Sequence, residues 1–224
     1  MPIKRSDLRP GDILLLEDTP DNTTGTHKGI RFGQRLTSVK IWRKNKGNTK
    51  CVHALIWTRK QSSDTPDVAE ASGSGWVRTI ALPRGTYRVY QCKNQDLGEL
   101  AASTALLWAM GGTIEYSRPK AISSVFHSDK LGARGLNRAQ GYAADAQSSS
   151  PAWGGSGAFC SQFIVACYQA AALHNSLNLG LTGELLRCDA KHCSVRALHD
   201  RLFRDPGFSL FGELDYDVED MARL

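Results

Sequence analysis

The sequence contains no long apolar run. Its 224 residues begin with Met1–Arg5, which leads into no apolar core, and Ile13–Leu16 is too short to cross a membrane or to act as a signal peptide. The pattern predicts neither a transmembrane helix nor a cleaved leader. We therefore expect synthesis in the cytoplasm, and any export by a route that needs no signal peptide, such as contact-dependent (type VI) secretion or delivery into a host cell.

Cysteine pairs at the spacing of zinc sites are also missing. Cys188 and Cys193 flank His192, and Cys51 lies near His53, but structural zinc sites carry cysteines about two to four residues apart on each side. We predict no metal and no cofactor. A Cys188–Cys193 disulfide is the alternative in an oxidising compartment, whereas cytoplasmic synthesis favours reduced thiols.

Motifs for binding nucleic acid are absent, although the net charge is +6. No helix-turn-helix, zinc-finger or ribonucleoprotein pattern accompanies the basic residues, and no stacking aromatics alternate with them. Five basic side chains crowd the segment Lys40–Lys50, whereas residues 215–220 are acidic. We predict no nucleic-acid partner. The basic segment either binds an anionic surface, lipid headgroup or cell-wall polymer, or is a solvated loop.

The remaining composition, 41% hydrophobic and 22% charged, is that of an ordinary globular protein, and we predict a single domain over residues 1–224. Strand-like patterns cluster in the first half and helical patterns in the second. This order favours an α+β fold in which an antiparallel sheet packs against helices. The predicted strands are Asp12–Leu16, Val52–Thr58, Val68–Ser72 and Tyr87–Gln91, and the predicted helices are Leu97–Met110 capped by Asp96, Cys160–Leu173, and one capped by Ser194.

The most informative stretch is Phe159–Tyr168, in which Cys160 follows a glycine-rich run and opens an apolar helix. The unpaired amides and partial positive charge at a helix start lower the pKa of a thiol and also receive an oxyanion. We predict that Cys160 is a nucleophile and that the backbone N–H groups of Cys160 and Ser161 hold the oxyanion. The alternative is a buried structural cysteine.

A nucleophilic thiol needs a base, and His53 is the best candidate among the six histidines. It lies in an apolar strand, where the alternative is a core histidine bonded to the backbone. The alternating segment Asp67–Ala71 predicts an adjacent antiparallel strand that brings Glu70 next to His53, where a carboxylate orients the imidazole and stabilises its cation. His127 is the second candidate for the base.

Residues 127–157 are rich in small and polar residues and lead directly to Cys160. Long loops inside a compact domain are typically functional covers or disordered insertions. We predict a lid or flexible insertion here, with Tyr142 and Trp153 as the aromatic residues that it offers to a substrate.

Four motifs resemble, in their order, the circularly permuted NlpC-type papain-like cysteine hydrolases, whose relatives include lecithin:retinol acyltransferase. The motifs are the turn Leu8–Leu14, the His53 strand, Val68–Ala71 and Phe159–Phe163. Permuted members carry the histidine before the cysteine, as this chain does. The resemblance implies a permuted papain-like fold with Cys160 as nucleophile, His53 as base and Glu70 as the third member of the triad.

The resemblance also implies a substrate. Many NlpC-type enzymes cut amide bonds in the stem peptides of peptidoglycan, so the leading hypothesis is a peptidoglycan endopeptidase or amidase. Such an enzyme would be an antibacterial toxin acting in the periplasm of a rival cell, with an immunity protein and a secretion apparatus as partners. The alternatives are a lipid acyl hydrolase or acyltransferase, a host-directed protease or deamidase, and a non-enzymatic binding module.

Overall fold

A computed structural model describes residues 3–17, 51–59, 66–73 and 75–216. The strands are β1 (Ile13–Glu17), β2 (Cys51–Trp57), β3 (Val68–Ala71), β4 (Val77–Ile80), β5 (Gly85–Cys92) and β6 (Phe208–Tyr216). They form one sheet in the order β4-β3-β2-β1-β5-β6, and every neighbouring pair is antiparallel. The α+β class and the antiparallel sheet predicted from the sequence are confirmed.

The helices pack mainly on one face of this sheet. Those within the described residues are α1 (Gln95–Gly111), α2 (Arg118–Ser124), α3 (Ala133–Ala144), α4 (Cys160–Leu173), α5 (Gly183–Leu186) and α6 (Val195–Arg204). Helix α4 is buried from Cys160 to Ala172, between the sheet and helices α1 and α3. It is therefore a central core helix, whereas the spacing of its apolar residues predicts burial of a single face. A smaller apolar cluster lies on the other face of the sheet.

Two of the helix ends test predictions about capping. Ser194 caps α6 as predicted, because its side chain accepts a hydrogen bond from the Ala197 amide at 3.2 Å. The prediction for α1 was wrong: Asn94, not Asp96, is the N-cap and accepts from the Leu97 amide at 3.1 Å. Asp96 instead lies in the first turn, where its negative charge interacts favourably with the positive end of the helix dipole.

The segment 127–157 differs from the predicted lid or flexible insertion, because helix α3 and a 3₁₀ helix at Ala152–Ser156 occupy much of it. Tyr142 is only 2% exposed, and Trp153 packs edge-on against both Tyr142 and Trp108, with ring centroids 5.0 Å apart in each pair. Small residues serve packing here, since Ala139 on the inner face of α3 is fully buried. The prediction failed because a small, polar composition also suits a helix that packs closely on its neighbours.

Strands β4 and β6 and helices α2, α3 and α5 are absent from the sequence-based prediction. In β6, a register shift opposite Val89 and Tyr90 interrupts the pairing with β5 and disturbs the alternation of buried residues. Among the described residues, no helix is both long enough and apolar enough to cross a membrane.

Candidate active site

The chain just before Cys160 is held in a fixed path by backbone hydrogen bonds. Ala158 donates to the Glu115 carbonyl at 2.7 Å, and the Ser117 amide donates back to the Ala158 carbonyl at 2.7 Å. Gly157 has a φ of +71°, and a Cβ there would lie 3.2 Å from the Glu115 carbonyl oxygen. Backbone conformation and close packing therefore both favour glycine at position 157. The fixed path of this segment places Cys160 at the start of α4.

The start of α4 leaves amide groups available. Phe159 is the N-cap and supplies no side-chain cap, and the Phe163 amide bonds to the Phe159 carbonyl at 2.9 Å. Among the described residues, the amides of Cys160 and Ser161 have no hydrogen-bond partner. Uncapped amides at a helix start bind negative charge. The geometry therefore suits the predicted oxyanion site, whose role stays a prediction.

His53 and Glu70 meet where strands β2 and β3 separate. The last paired positions are Ile56 with Ala69, and just beyond them His53 Nε2 lies 2.6 Å from Glu70 Oε2. The carboxylate accepts, so Nε2 donates the proton. His53 and Glu70 are therefore in contact, as the alternation pattern of the two strands predicts.

The third contact of this group joins the imidazole to the nucleophile candidate. Cys160 lies close enough to the ring of His53 for its side chain to act on the pKa of that ring. Burial alone would lower the pKa of His53, but the negative charge and hydrogen bond of Cys160, followed by those of Glu70, raise it to about 10. At neutral pH this environment therefore favours a positively charged imidazole.

Glu70 is in turn held by Arg78, which lies directly opposite it on β4. Arg78 Nε and Nη2 donate to Glu70 Oε1 at 3.0 and 2.9 Å. Burial would raise the pKa of Glu70, but the hydrogen bond and charge of His53, and then those of Arg78, lower it to about 2. The carboxylate therefore stays ionised and each of its oxygens has a partner. Arg78 was not predicted from the sequence, although its place in the strand after Glu70 is the signal that could have found it.

Tyr116 is a second residue near the site that the sequence did not indicate. Burial, followed by the negative charge of Cys160, raises its pKa, and Glu70 adds to the effect. Its hydroxyl is therefore protonated and can donate. Its backbone forms a bridge to Ala158 in the approach to Cys160. No periodicity or motif marks Tyr116, because its position depends on pairing between two loops far apart in sequence.

The other predicted residues lie elsewhere. Tyr142 lies on the buried face of α3 and is only 2% exposed, so it is a core residue and offers no surface to a substrate. Trp153 packs against the same core. His127 is exposed and stacks on His192 with ring centroids 4.9 Å apart. None of the contacts described for His127 involves Cys160, which leaves His53 as the better candidate for the base.

The remaining cysteines show no arrangement for a metal. Cys188 and Cys193 are buried free thiols, and Cys193 Sγ donates to the Ser194 carbonyl at 3.9 Å. Across the part of the chain that the structure describes, no group of three or more His, Cys, Asp or Glu side chains is placed to hold a metal ion. The basic segment Lys40–Lys50 lies outside the described residues.

The site consists of a buried thiol at an uncapped helix start, an imidazole near it, and an ionised carboxylate behind the imidazole. These groups can form a thiolate, stabilise an oxyanion and transfer a proton. No protein-family model matches this chain, no curated protein matches it, and no solved structure matches it. The resemblance to permuted NlpC-type hydrolases therefore stays a prediction based on the residues themselves.

Proposed function

We propose that this protein is a cysteine hydrolase that cleaves an amide bond through a thioester, with a Cys160–His53–Glu70 triad. The observation that carries the proposal is the continuous set of contacts from the Cys160 side chain to His53 and on to Glu70, 2.6 Å from the imidazole. A structural histidine needs one polar partner. Here the imidazole links a thiol at a helix start to an ionised carboxylate, an arrangement that activates a nucleophile.

In the proposed reaction, the Cys160 proton resides on His53, and the thiolate attacks the carbonyl carbon of the amide. The tetrahedral oxyanion is held by the amides of Cys160 and Ser161. As the C–N bond breaks, His53 gives its proton to the departing amine, and an acyl thioester remains on Cys160. His53 then takes a proton from water, whose oxygen attacks the thioester, and the acid is released with regeneration of the thiol.

The substrate that we propose is the peptide part of bacterial peptidoglycan, and the biological role is that of an antibacterial effector acting in a rival cell's periplasm, with an immunity partner in the producer. This part of the proposal is supported by the resemblance to NlpC-type enzymes. The triad itself is compatible with any acyl group that reaches Cys160.

The test is incubation of the purified protein with isolated cell-wall sacculi and, separately, with phospholipid vesicles, followed by mass spectrometry of the products. We expect soluble peptide fragments from sacculi, with a new amine and a new carboxylate at the cut, and none with Cys160→Ala. Release of fatty acids from vesicles alone would contradict the peptidoglycan substrate while leaving the cysteine mechanism in place. No product from any acyl substrate, despite a folded protein, would contradict the hydrolase proposal.

A further inference from the structure

Helix α2 shows an inverted pattern of burial. The two residues that it buries, Ala121 and Ser124, are small. Its larger apolar side chains face outward instead, since Ile122 and Phe126 are 44% and 58% exposed. Phe126 continues the last turn, because its amide donates to the Ser123 carbonyl at 3.0 Å, and four residues separate it from Ile122 on one face. Folding alone does not favour this outer face of α2, Ile122 and Phe126.

The segment that carries this outer face is basic. Residues 116–134 contain one acidic residue and four basic residues, which are Arg118, Lys120, Lys130 and Arg134. Arg118 opens α2, Lys130 follows Phe126 by four residues, and both are exposed. Among the described residues, neither Arg118 nor Lys130 forms an ion pair. Positive charge therefore lies on both sides of the apolar face in the chain.

Two acidic residues beside this segment are held by arginines. Asp129 forms an ion pair with Arg201 at 2.6 Å. Asp189, whose amide donates to the Asp129 carbonyl at 2.8 Å, forms an ion pair with Arg138. These carboxylates therefore do little to offset the basic residues. Exposed Glu115, just before the segment, balances only one of the four positive charges, so the surface stays positive.

Helix α2 begins beside the approach to Cys160. The Ser117 amide donates to the Ala158 carbonyl at 2.7 Å, and Tyr116 pairs with Ala158 in a parallel bridge. Ala158 lies two residues before Cys160. The seven residues of α2 span about 10 Å. A surface that contacts the outer face of α2 would therefore lie about one short helix away from the segment that leads to the nucleophile.

We infer that the outer face of α2, with its flanking basic residues, docks this protein on an anionic lipid membrane. Helices that bind at a membrane surface bury apolar side chains among the headgroups, and Lys and Arg side chains attract the anionic lipids. Both features are present in one short segment. The inference goes beyond the proposed hydrolase and does not depend on its substrate.

Two other occupants fit the surface less well. A second copy of this chain, docked symmetrically, would bring two positive surfaces together, and these repel. A nucleic acid would be attracted by the basic side chains through its phosphates, but it would gain little from an exposed aliphatic side chain such as Ile122. A lipid surface uses both the apolar face and the charges.

The test is cosedimentation of the full chain with vesicles of phosphatidylcholine and phosphatidylglycerol in equal parts, and with phosphatidylcholine alone, at low and high salt. We expect binding to the mixed vesicles at low salt, weakened about tenfold without phosphatidylglycerol or at high salt. Phe126→Ser should weaken binding to the mixed vesicles about tenfold, and Ile122→Ser or Lys130→Gln about fivefold.

Phe203→Ser is the matched control. Phe203 is 69% exposed, more than Phe126, but it lies on α6 with Asp200 one turn before it. We expect its binding to equal that of the wild type. Thermal unfolding of each variant identifies any loss of fold. Release of peptides from lipid-free sacculi should be unchanged in Phe126→Ser, so the membrane proposal and the hydrolase proposal are tested separately.

Three outcomes would overturn the inference. The first is vesicle binding that depends on salt but is unchanged in Phe126→Ser and Ile122→Ser, because charge elsewhere in the chain would then suffice. The second is no binding of the folded wild type to mixed vesicles, together with binding to a single-stranded oligonucleotide or to neither. The third is a dimer in lipid-free solution that Phe126→Ser dissociates, measured by sedimentation velocity, which would assign the face to a second copy.

Discussion

Cys160 and Cys167 lie about two turns apart on helix α4 and are almost equally buried, with exposures of 1% and 0%. Their surroundings differ. Cys160 is at the uncapped helix start and lies near His53, whereas Cys167 lies mid-helix in the apolar core, where burial raises its pKa well above the usual value. The comparison shows that two thiols of equal exposure on one helix can have different neighbours, and in the proposed mechanism the position on the helix and the cationic partner, rather than exposure, select the nucleophile.

The largest effect is expected from removal of each thiol in turn. Cys160→Ala should lower turnover of sacculi by at least about a thousandfold, because no other group can form the thioester. Cys167→Ala should change turnover less than about threefold, and should lower the unfolding temperature by a few degrees at most through lost packing. The measurement is the rate at which each variant releases soluble product from sacculi. Equal losses would mean that the helix, and not the thiol at its start, matters for activity.

Smaller losses of turnover, which decrease with distance from Cys160, are expected from substitutions of His53, Glu70 and Arg78. His53→Ala should lower turnover by at least about a hundredfold, because the imidazole transfers the proton. Glu70→Gln should cost about tenfold, since the amide still reaches the ring but no longer stabilises its cation. Arg78→Gln should cost less, because Arg78 contacts only Glu70 in this set.

The control for this series is His174→Ala. His174 is partly exposed at the end of α4, and its ring bonds to Gln147 and Ser176. It should keep full turnover. A loss in Glu70→Gln that exceeds the loss in His53→Ala would contradict the assigned order of roles.

The smallest effect concerns stability against pH. The raised pKa of His53 contributes stability that is fully present below about 6.5 and is lost as the pH rises through about 10. The lowered pKa of Glu70 contributes stability that is present above about 4.5 and is lost as the pH falls toward about 2. Denaturant unfolding of wild type and Glu70→Gln should therefore differ most between about pH 4.5 and 6.5. A difference that does not vary with pH would indicate packing rather than charge.

The sequence predicted the parts of the site that depend on local patterns. A glycine-rich run followed by an apolar segment marked Cys160 at the start of α4, and strand alternation brought Glu70 to His53. Tyr116 could not be found in this way, because its position depends on pairing between distant segments. Arg78 was missed because its strand, β4, was not predicted, although it lies opposite Glu70 in the next strand of the chain. The segment 127–157 was misread because small residues serve close helix packing as readily as they serve loops.

The fold was predictable to a similar extent. Four of the six described strands follow apolar patterns in the sequence, whereas β4 alternates over only four residues and β6 contains an irregular register. Both lie at the edges of the sheet, where side chains are partly exposed and hydrophobic patterning is weak.

The central claim, that neighbours rather than exposure activate Cys160, is tested most directly by the alkylation rates of individual cysteines. Wild-type protein at neutral pH is treated with iodoacetamide, and each cysteine is quantified by peptide mass spectrometry. Burial raises the pKa of Cys92 to about 11 and that of Cys167 well above normal, so Cys160 should react first by at least about a hundredfold. In His53→Ala this preference should fall by about tenfold or more. Equal rates at Cys160 and Cys167, or an unchanged preference without His53, would contradict the account.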